Sequence, residues 1–225
     1  MNPSDNTETT EKTARVMIVD DHPAIREGLA FRIASHPDLM ICAQAADVQE
    51  ALQKVADAAP DVVIVDIGLK SSDGMDLIKE LKAHYRNVRV LVHSMFAESL
   101  YADRCLHAGA MGYVNKEANP GEVVRAIREV LAGRVYLSPT MTDEMLDRAV
   151  KGIELTDDPI DGLTDRQLEI FRLIGDGKSA AQIAKRLHIS VHTVETHREN
   201  IKRKLNIATG SELTRRAVLW HSDNS

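Results

Sequence analysis

The 225-residue chain has little cysteine and no long apolar run, and both shortages restrict the classes of protein to which it can belong. Cys42 and Cys105 share no short spacing, so the sequence predicts neither a disulfide framework nor a cysteine metal site. Two reduced thiols fit the cytosol, and we expect a cytoplasmic protein. No apolar run approaches membrane-spanning length. Residues 1–13 are polar and lack a signal-peptide core, so we expect them to form a disordered tail.

Charge is distributed unevenly along the chain. Residues 1–154 contain 17 Lys and Arg against 24 Asp and Glu, whereas residues 155–225 contain 11 against 10. The basic residues of the second part concentrate between 178 and 216. An acidic first part followed by a locally basic second part favours two domains, the second of which lies near a polyanion.

The first part alternates short apolar runs with segments of helical spacing. Helices are predicted between the runs, including one over about 98–108 and another over Glu122–Ala132. This alternation predicts an α/β fold for residues 14–135, with a five-stranded, parallel, doubly wound sheet. The predicted strands are Val16–Val19, Met40–Gln44, Val62–Asp66, Val90–His93 and Met111–Val114.

The second part has no strand pattern, and residues 163–225 are predicted to form a small all-α domain. A connecting helix over Pro139–Val150 and a polar segment make residues 136–162 a linker. The two middle helices of the all-α domain have helix-turn-helix dimensions. Its four predicted helices run from Thr164 (a capping box with Gln167) to Gly175, from Ser179 to about His188, from Ser190 to about Leu205, and from about Ser211 to Trp220.

Polar side chains gather where the predicted strands end. The stretch VMIVDDHP places Asp20 and Asp21 after the first strand, and Asp66 and Ser94 end the third and fourth. Because these strand ends share one edge of a parallel sheet, we expect the side chains to converge. Three carboxylates together favour Mg²⁺, and Lys116 adds a cation suited to phosphate. The set predicts phosphoryl transfer with an aspartate as nucleophile, although each aspartate alone could cap a turn.

This set resembles the receiver domain of two-component response regulators over Arg15–Gly133. The resemblance implies that a sensor histidine kinase phosphorylates Asp66. It also implies that Asp21, Asp66 and the Gly68 carbonyl hold Mg²⁺, with Asp20 completing the acidic set. After phosphorylation, Ser94 would turn toward the phosphoryl group and Tyr113 would swing inward. Without the resemblance, Tyr113 would be interpreted as a core aromatic residue.

Leu163–Leu205 resembles the LuxR-type helix-turn-helix. Joined to a receiver, it gives the arrangement of the NarL/FixJ response regulators, which are transcription factors. Val191, Val194, Ile201 and Leu205 line one face of the third helix, and the opposite face is free to enter a major groove. A solvated charged helix is the alternative. The predicted DNA-contacting residues are Ser190, His192, Thr193, Glu195, Thr196, Arg198, Glu199, Lys202, Arg203 and Lys204.

Two glutamates on this face need separate explanations. We expect Glu199 to orient Arg203, four residues further along the helix. Glu195 either accepts a hydrogen bond from a cytosine or pairs with Arg198. Each alternative makes a different prediction for a variant at Glu195.

The last helix carries an apolar stripe. Core packing is the default interpretation of this stripe, but the family uses the helix for dimerisation. The resemblance implies double-stranded DNA, a sensor histidine kinase, a second copy of the chain and RNA polymerase as partners. The stripe consists of Leu213, Ala217 and Trp220.

Two other functional classes remain open. An aspartate-nucleophile phosphatase of the haloacid dehalogenase type needs a general acid two residues after the nucleophile, where this chain has Gly68. A scaffold whose helix-turn-helix binds protein is the third class. We therefore expect a DNA-binding regulator that accepts a phosphoryl group and is not a turnover enzyme.

Overall fold

The computed structural model describes residues 13–69, 73–151, 159–160, 162–187 and 189–223. Residues 1–12 of the predicted tail, most of the predicted linker after Lys151, and His188 lie outside the described residues. The described part of residues 14–135 alternates strands and helices as predicted. The elements are β1 Ala14–Val19, α1 Pro23–Ala34, β2 Leu39–Ala45, α2 Val48–Ala58, β3 Val62–Val65, α3 Gly74–His84, β4 Arg89–Ser94, α4 Glu98–Ala108, β5 Gly112–Asn115 and α5 Glu122–Leu131.

The five strands form one sheet with the order β2-β1-β3-β4-β5, and each neighbouring pair is parallel. The predicted doubly wound α/β fold is confirmed. The chain leaves β1 toward one side of the sheet and β3 toward the other, which opens a crevice at the carboxyl ends of these two strands. The backbone N–H of Asp66 donates to the carbonyl of Val19 at 2.9 Å, so the two strands end side by side.

Both faces of the sheet are covered, which explains why the central strand β3 is apolar and buried at every position. Val16 and Ile18 pack in a cluster with residues of α1 and α5. Met17 and Val19 point the other way and pack with residues of α2, α3 and α4. All four side chains are buried, and burying each contributes roughly 1.5–3 kcal/mol.

The second part is all helical in its described residues, as predicted. Thr164 with Gln167 and Ser179 with Gln182 each form a reciprocal capping box, and the Ser190 hydroxyl accepts from the Thr193 N–H at 2.9 Å. No helix within the described ranges has the length and apolar character that a membrane crossing requires. The helices are α6 Pro139–Lys151, α7 Asp165–Gly175, α8 Ala180–Arg186, α9 Val191–Lys204 and α10 Gly210–Asp223.

The two domains touch through α4 and α3 on one side and the start of α7 on the other. The Arg104 guanidinium donates to the Leu163 carbonyl at 2.7 Å and lies 3.4 Å from the Asp165 carboxylate. Lys79 lies 3.5 Å from the same carboxylate. These polar contacts fix α7 against the face of the sheet domain that α3 and α4 form.

Candidate functional site

The crevice between β1 and β3 holds a compact cluster of charges. Asp20 and Asp66 follow the ends of the two strands and are only 1% and 4% exposed. Lys116, just after β5, places its Nζ 2.6 Å from Asp20 Oδ2 and 2.6 Å from Asp66 Oδ2. The structure therefore brings together three of the predicted site residues, and the lysine bridges two carboxylates that would otherwise repel each other.

Opposing effects act on the bridging lysine. Burial alone would lower the pKa of Lys116, but attraction to Asp66 and the hydrogen bonds to Asp20 and Asp66 outweigh burial and raise the pKa. The ammonium group stays charged at neutral pH. It can therefore stabilise negative charge in the crevice, including charge on a phosphoryl group.

The acidic residues fit a divalent cation. Ligand atoms of Asp20, Asp21, His22 and Asp66 all lie within 4.8 Å of one another. Lys116 offsets one of the three carboxylate charges, so two negative charges remain for a cation to neutralise. Hard carboxylate oxygens are the ligands that Mg²⁺ prefers. The acidic cluster is therefore consistent with Mg²⁺, the cofactor predicted from the sequence.

Ser94 and Tyr113 approach the crevice from β4 and β5. Ser94 is buried, and its Oγ accepts from the Phe96 N–H at 3.4 Å. The Tyr113 hydroxyl donates to the Phe96 carbonyl at 2.8 Å. Burial raises the pKa of Tyr113 well above its usual value, so the phenol keeps its proton. Tyr113 is 1% exposed and already points inward, so its swing after phosphorylation stays a prediction.

The backbone around Asp66 depends on two glycines. The Gly68 N–H donates to Asp66 Oδ1 at 2.9 Å and holds the predicted acceptor side chain in place. Gly74, which the sequence interpretation missed, opens α3 directly against Asp66, where a Cβ would lie 2.3 Å from the Asp66 carbonyl oxygen. Asp73 caps this helix by accepting from the Met75 N–H at 2.9 Å. The Asp-Gly pair before a helical pattern was the available signal.

Two histidines flank the crevice and differ in exposure. The His22 Nδ1 lies 2.9 Å from Asp21 Oδ1 and 3.3 Å from Asp20 Oδ1, and the ring is half exposed. His93 is buried, and burial followed by the charge of Lys116 lowers its pKa to about 4. The His93 ring is therefore neutral at physiological pH.

The outward face of α9 is open to solvent. Val194 and Ile201 are fully buried on the opposite face, as predicted, but Val191 at the first helical position is 47% exposed. Of the predicted DNA contacts, Ser190, His192, Glu195, Thr196, Glu199, Arg203 and Lys204 are exposed, and Thr193, Arg198 and Lys202 are partly exposed.

The ion pairs along α9 correct one prediction. Glu199 lies 2.8 Å from Lys202 Nζ, whereas the Arg203 guanidinium donates to Asn200 Oδ1 at 2.9 Å. Glu199 therefore does not orient Arg203, because the partner three residues away is equally within reach on a helix. Glu195 lies 3.4 Å from Arg198 Nε, the surface pair that was the alternative to base contact.

The apolar stripe of α10 packs within its own domain. Leu213 and Ala217 are fully buried, and the Trp220 ring lies 5.5 Å from the Phe171 ring. This is the core-packing interpretation, and it removes Leu213 and Ala217 from any surface that a partner could touch. The exposed apolar residues of α10 are Val218 and Leu219.

Two known protein families match separate parts of this chain. Residues 16–128 match the response regulator receiver domain, and residues 161–217 match the bacterial regulatory proteins of the luxR family. The chain belongs to the LuxR-type response regulators. It therefore joins a receiver domain to a DNA-binding domain, and Asp66 lies in the receiver and α9 in the LuxR-type part.

Curated relatives of this response regulator align along nearly their whole length. The oxygen regulatory protein NreC of Staphylococcus carnosus is 32% identical over 91% of this chain and 96% of its own. The response regulator GacA of Pseudomonas protegens is 32% identical over 91% of this chain and 95% of its own.

Solved structures share the fold. A LuxR-family two-component response regulator from Aurantimonas is 37% identical over 62% of this chain and 99% of its own, with a TM-score of 0.58. RcsB from Salmonella enterica serovar Typhimurium, solved on the rprA promoter with phosphomimetic BeF3-, is 21% identical over 91% of this chain and 98% of its own, with a TM-score of 0.61. At that identity, RcsB supports the fold alone.

Proposed function

We propose that this response regulator accepts a phosphoryl group on Asp66 from a sensor histidine kinase and then binds promoter DNA through α9 to regulate transcription. The observation that carries the proposal is the Lys116 ammonium, which lies 2.6 Å from both the Asp20 and Asp66 carboxylates at one edge of the sheet. A buried lysine held between carboxylates, beside a serine hydroxyl, suits charge stabilisation during phosphoryl transfer.

Each pocket residue has a distinct role in the proposed transfer. An Asp66 carboxylate oxygen attacks the phosphorus of a phosphohistidine, so an O–P bond forms and the P–N bond breaks, and the imidazole leaves with the electron pair. Lys116 and the Ser94 hydroxyl stabilise the phosphoryl oxygens. Asp20, Asp21, Asp66 and the Gly68 carbonyl would hold Mg²⁺, which would neutralise the carboxylates and the charge of the incoming phosphoryl group.

We propose a regulator rather than a turnover enzyme. Gly68 stands two residues after Asp66 and carries no proton to donate to a leaving group, whereas phosphatases that use an aspartate nucleophile need a general acid there. The proposed partners are double-stranded DNA, a sensor histidine kinase, a second copy of the chain on DNA and RNA polymerase. A DNA-bound regulator with two free cysteines fits the cytoplasm.

The proposed DNA interface is the exposed face of α9. Lys202, Arg203 and Lys204 lie in its last turn, where they suit phosphate contacts. Residues near the start of the helix approach base edges in a helix-turn-helix complex. RcsB, which shares this fold, was solved on promoter DNA.

Phosphorylation of the full chain tests the proposal. The protein is incubated with acetyl phosphate and Mg²⁺, and intact mass is measured together with binding to promoter DNA fragments. We expect the wild type to gain one phosphoryl group and Asp66→Asn to gain none. Asp57→Asn, on the exposed side of α2, is the matched control and should behave like the wild type. A stable phosphoryl group on Asp66→Asn, or DNA binding that phosphorylation leaves unchanged, would overturn the proposal.

A further inference from the structure

We propose that the Phe96 side chain couples the Asp66 pocket to the DNA-binding domain, because it contacts both and because a phosphoryl group displaces it from Arg172 and so opens the contact between the domains. This inference rests on the proposed function and names the residue through which phosphorylation acts. Phe96 follows β4 in the loop before α4 and is half-buried.

The Phe96 ring lies at the mouth of the acceptor pocket. Its Cζ is 3.4 Å from the position that a Cβ on Gly68 would occupy, and Asp66 Oδ1 is 3.5 Å from that same position. The ring and the acceptor carboxylate therefore both lie next to Gly68. A phosphoryl group on Asp66 adds three oxygens to this space, and because the acyl phosphate replaces a carboxylate that was already charged, it adds about one negative charge.

The Phe96 backbone is held by the predicted switch residues. Its N–H donates to Ser94 Oγ at 3.4 Å, and its carbonyl accepts from the Tyr113 hydroxyl at 2.8 Å and from Asn115 Nδ2 at 3.0 Å. If the Ser94 hydroxyl turns to a phosphoryl oxygen, the Phe96 N–H loses its acceptor. The same event that occupies the pocket thus releases the backbone that positions the ring.

On its other side, the ring meets the DNA-binding domain. The Arg172 guanidinium carbon, on α7, lies 4.7 Å from the Phe96 ring centroid. Within the receiver, the centroid of the Tyr101 ring, on α4, lies 4.9 Å from the same point. Arg172 is only 20% exposed, so its stacking on the ring is shielded from water and is stronger than a surface contact would be. Movement of the ring removes this stacking.

The other described polar contacts between the domains lie away from the pocket. Arg104 reaches the Leu163 carbonyl and Asp165, and Lys79 reaches Asp165, all through the middle of α3 and α4. These contacts stabilise the docked arrangement to the same extent in both phosphorylation states. Phosphorylation shifts the docking equilibrium only through a contact that differs between the states, and the stacking of Phe96 on Arg172 is that contact.

Single-molecule energy transfer in the full chain tests the coupling and avoids dimers. Dyes are attached at Gln53→Cys and Arg215→Cys, both exposed, in a Cys42→Ser background. Cys105 is fully buried and its pKa is raised by burial, so it does not react. We expect acetyl phosphate with Mg²⁺ to increase the open population of the wild type several-fold. Phe96→Leu should be largely open beforehand, with little further change on phosphorylation.

Four further single variants and one double variant separate the coupling from general weakening. Phe31→Leu, 82% exposed on α1, should match the wild type. Phe96→Met keeps a bulky side chain without the ring and should behave like Phe96→Leu even if leucine perturbs folding. Arg104→Gln should open the domains partly but keep the full response to phosphorylation. Arg172→Gln should lose the response, and adding Phe96→Leu to it should change nothing more.

All variants are compared at equal phosphorylation, measured by intact mass. If the wild type is not phosphorylated on Asp66, both the proposed function and this inference fail. If it is phosphorylated and opens, but Phe96→Leu and Phe96→Met open equally on phosphorylation, only the coupling through Phe96 is overturned. If phosphorylation leaves the open population of the wild type unchanged, the coupling is overturned as well, but the assignment of Asp66 as the phosphorylation site stands.

Discussion

The acceptor pocket and the outward face of α9 are both rich in charge, but their charges are held in opposite ways. In the pocket, the Lys116 side chain is 4% exposed, and its Nζ lies 2.6 Å from carboxylates that follow two other strands. On α9, Glu199 pairs with Lys202 three residues away on the same helix, in contact with water. Buried pairs are costly to break, whereas exposed pairs break and re-form cheaply. The pocket is therefore preorganised for one reaction, and the helix can exchange its ion pairs for contacts with DNA.

The largest effect should come from removing the pocket cation. Lys116→Met leaves the Asp20 and Asp66 carboxylates facing each other, so we expect the free energy of unfolding at pH 7 to fall by about 3–5 kcal/mol. Denaturant titration measures the loss, and Mg²⁺ should restore part of it. In the control Lys54→Met, an exposed pair with Glu50 is lost, at about 1 kcal/mol or less. Equal losses in the two variants would contradict the distinction between buried and exposed charge.

The comparison of buried with exposed charge can be tested further at Asp73, a buried carboxylate with acidic neighbours. Burial, with the nearby charges of Asp76, Asp165 and Glu169, raises the pKa of Asp73 to about 6, and the hydrogen bond from the Met75 N–H opposes this shift. The folded protein thus holds a proton that the unfolded chain releases near its ordinary pKa. Stability should therefore fall as pH rises from about 4 to about 6 and stay lowered above that range.

The variant Asp73→Asn keeps an acceptor for the helix cap and removes the titration. We expect it to gain on the order of 2 kcal/mol at pH 7 over the wild type, and to lose that gain below about pH 4. Thermal unfolding across this pH range measures the difference. A constant difference between the two proteins at every pH would rule out titration of Asp73 as its source.

On α9, two substitutions separate phosphate contact from base contact. Lys202→Ala should weaken binding to all sequences and reduce the salt slope by about one unit. Glu195→Ala should relax preference at one base pair by roughly 1–3 kcal/mol and leave the slope nearly intact, if Glu195 leaves Arg198 to accept from a cytosine. Binding across salt concentrations and operator variants measures both. Full sequence preference in Glu195→Ala would identify Glu195 as only the surface partner of Arg198.

The smallest expected effect concerns the start of α9. The Ser190 hydroxyl accepts from the Thr193 N–H at 2.9 Å, and Ser190→Ala should lower the free energy of unfolding by about 1 kcal/mol. Ser190→Asn retains a capping oxygen and should recover most of the loss. If both variants are equally destabilised, the hydroxyl serves some purpose other than capping.

The pocket could be predicted from the sequence because strand ends converge in any parallel sheet. Once the strands were assigned correctly, Asp20, Asp66 and Lys116 had to lie close together. The choice of ion pair on α9 could not be predicted from the sequence, because Glu199 can reach partners three or four residues away. The contacts of Phe96 with Arg172 and of Arg104 with Leu163 join residues of two domains. No periodicity within either domain encodes how the two pack together.

The contact between Arg104 and the start of the DNA-binding domain bears on how freely such domains can be exchanged. Arg104 donates to the carbonyl oxygens of Ile160 and Leu163, at 3.4 and 2.7 Å, and so recognises main chain that every sequence provides. Asp165 supplies the specific side chain of this contact, at the first position of α7. A chimera should therefore dock a transplanted DNA-binding domain whose first helix begins with an acidic residue and carries an arginine at the position of Arg172, even where the preceding side chains differ. The receiver is in this respect a reusable module that requires two side chains of the domain it carries, an acid at the start of the helix and an arginine further along it.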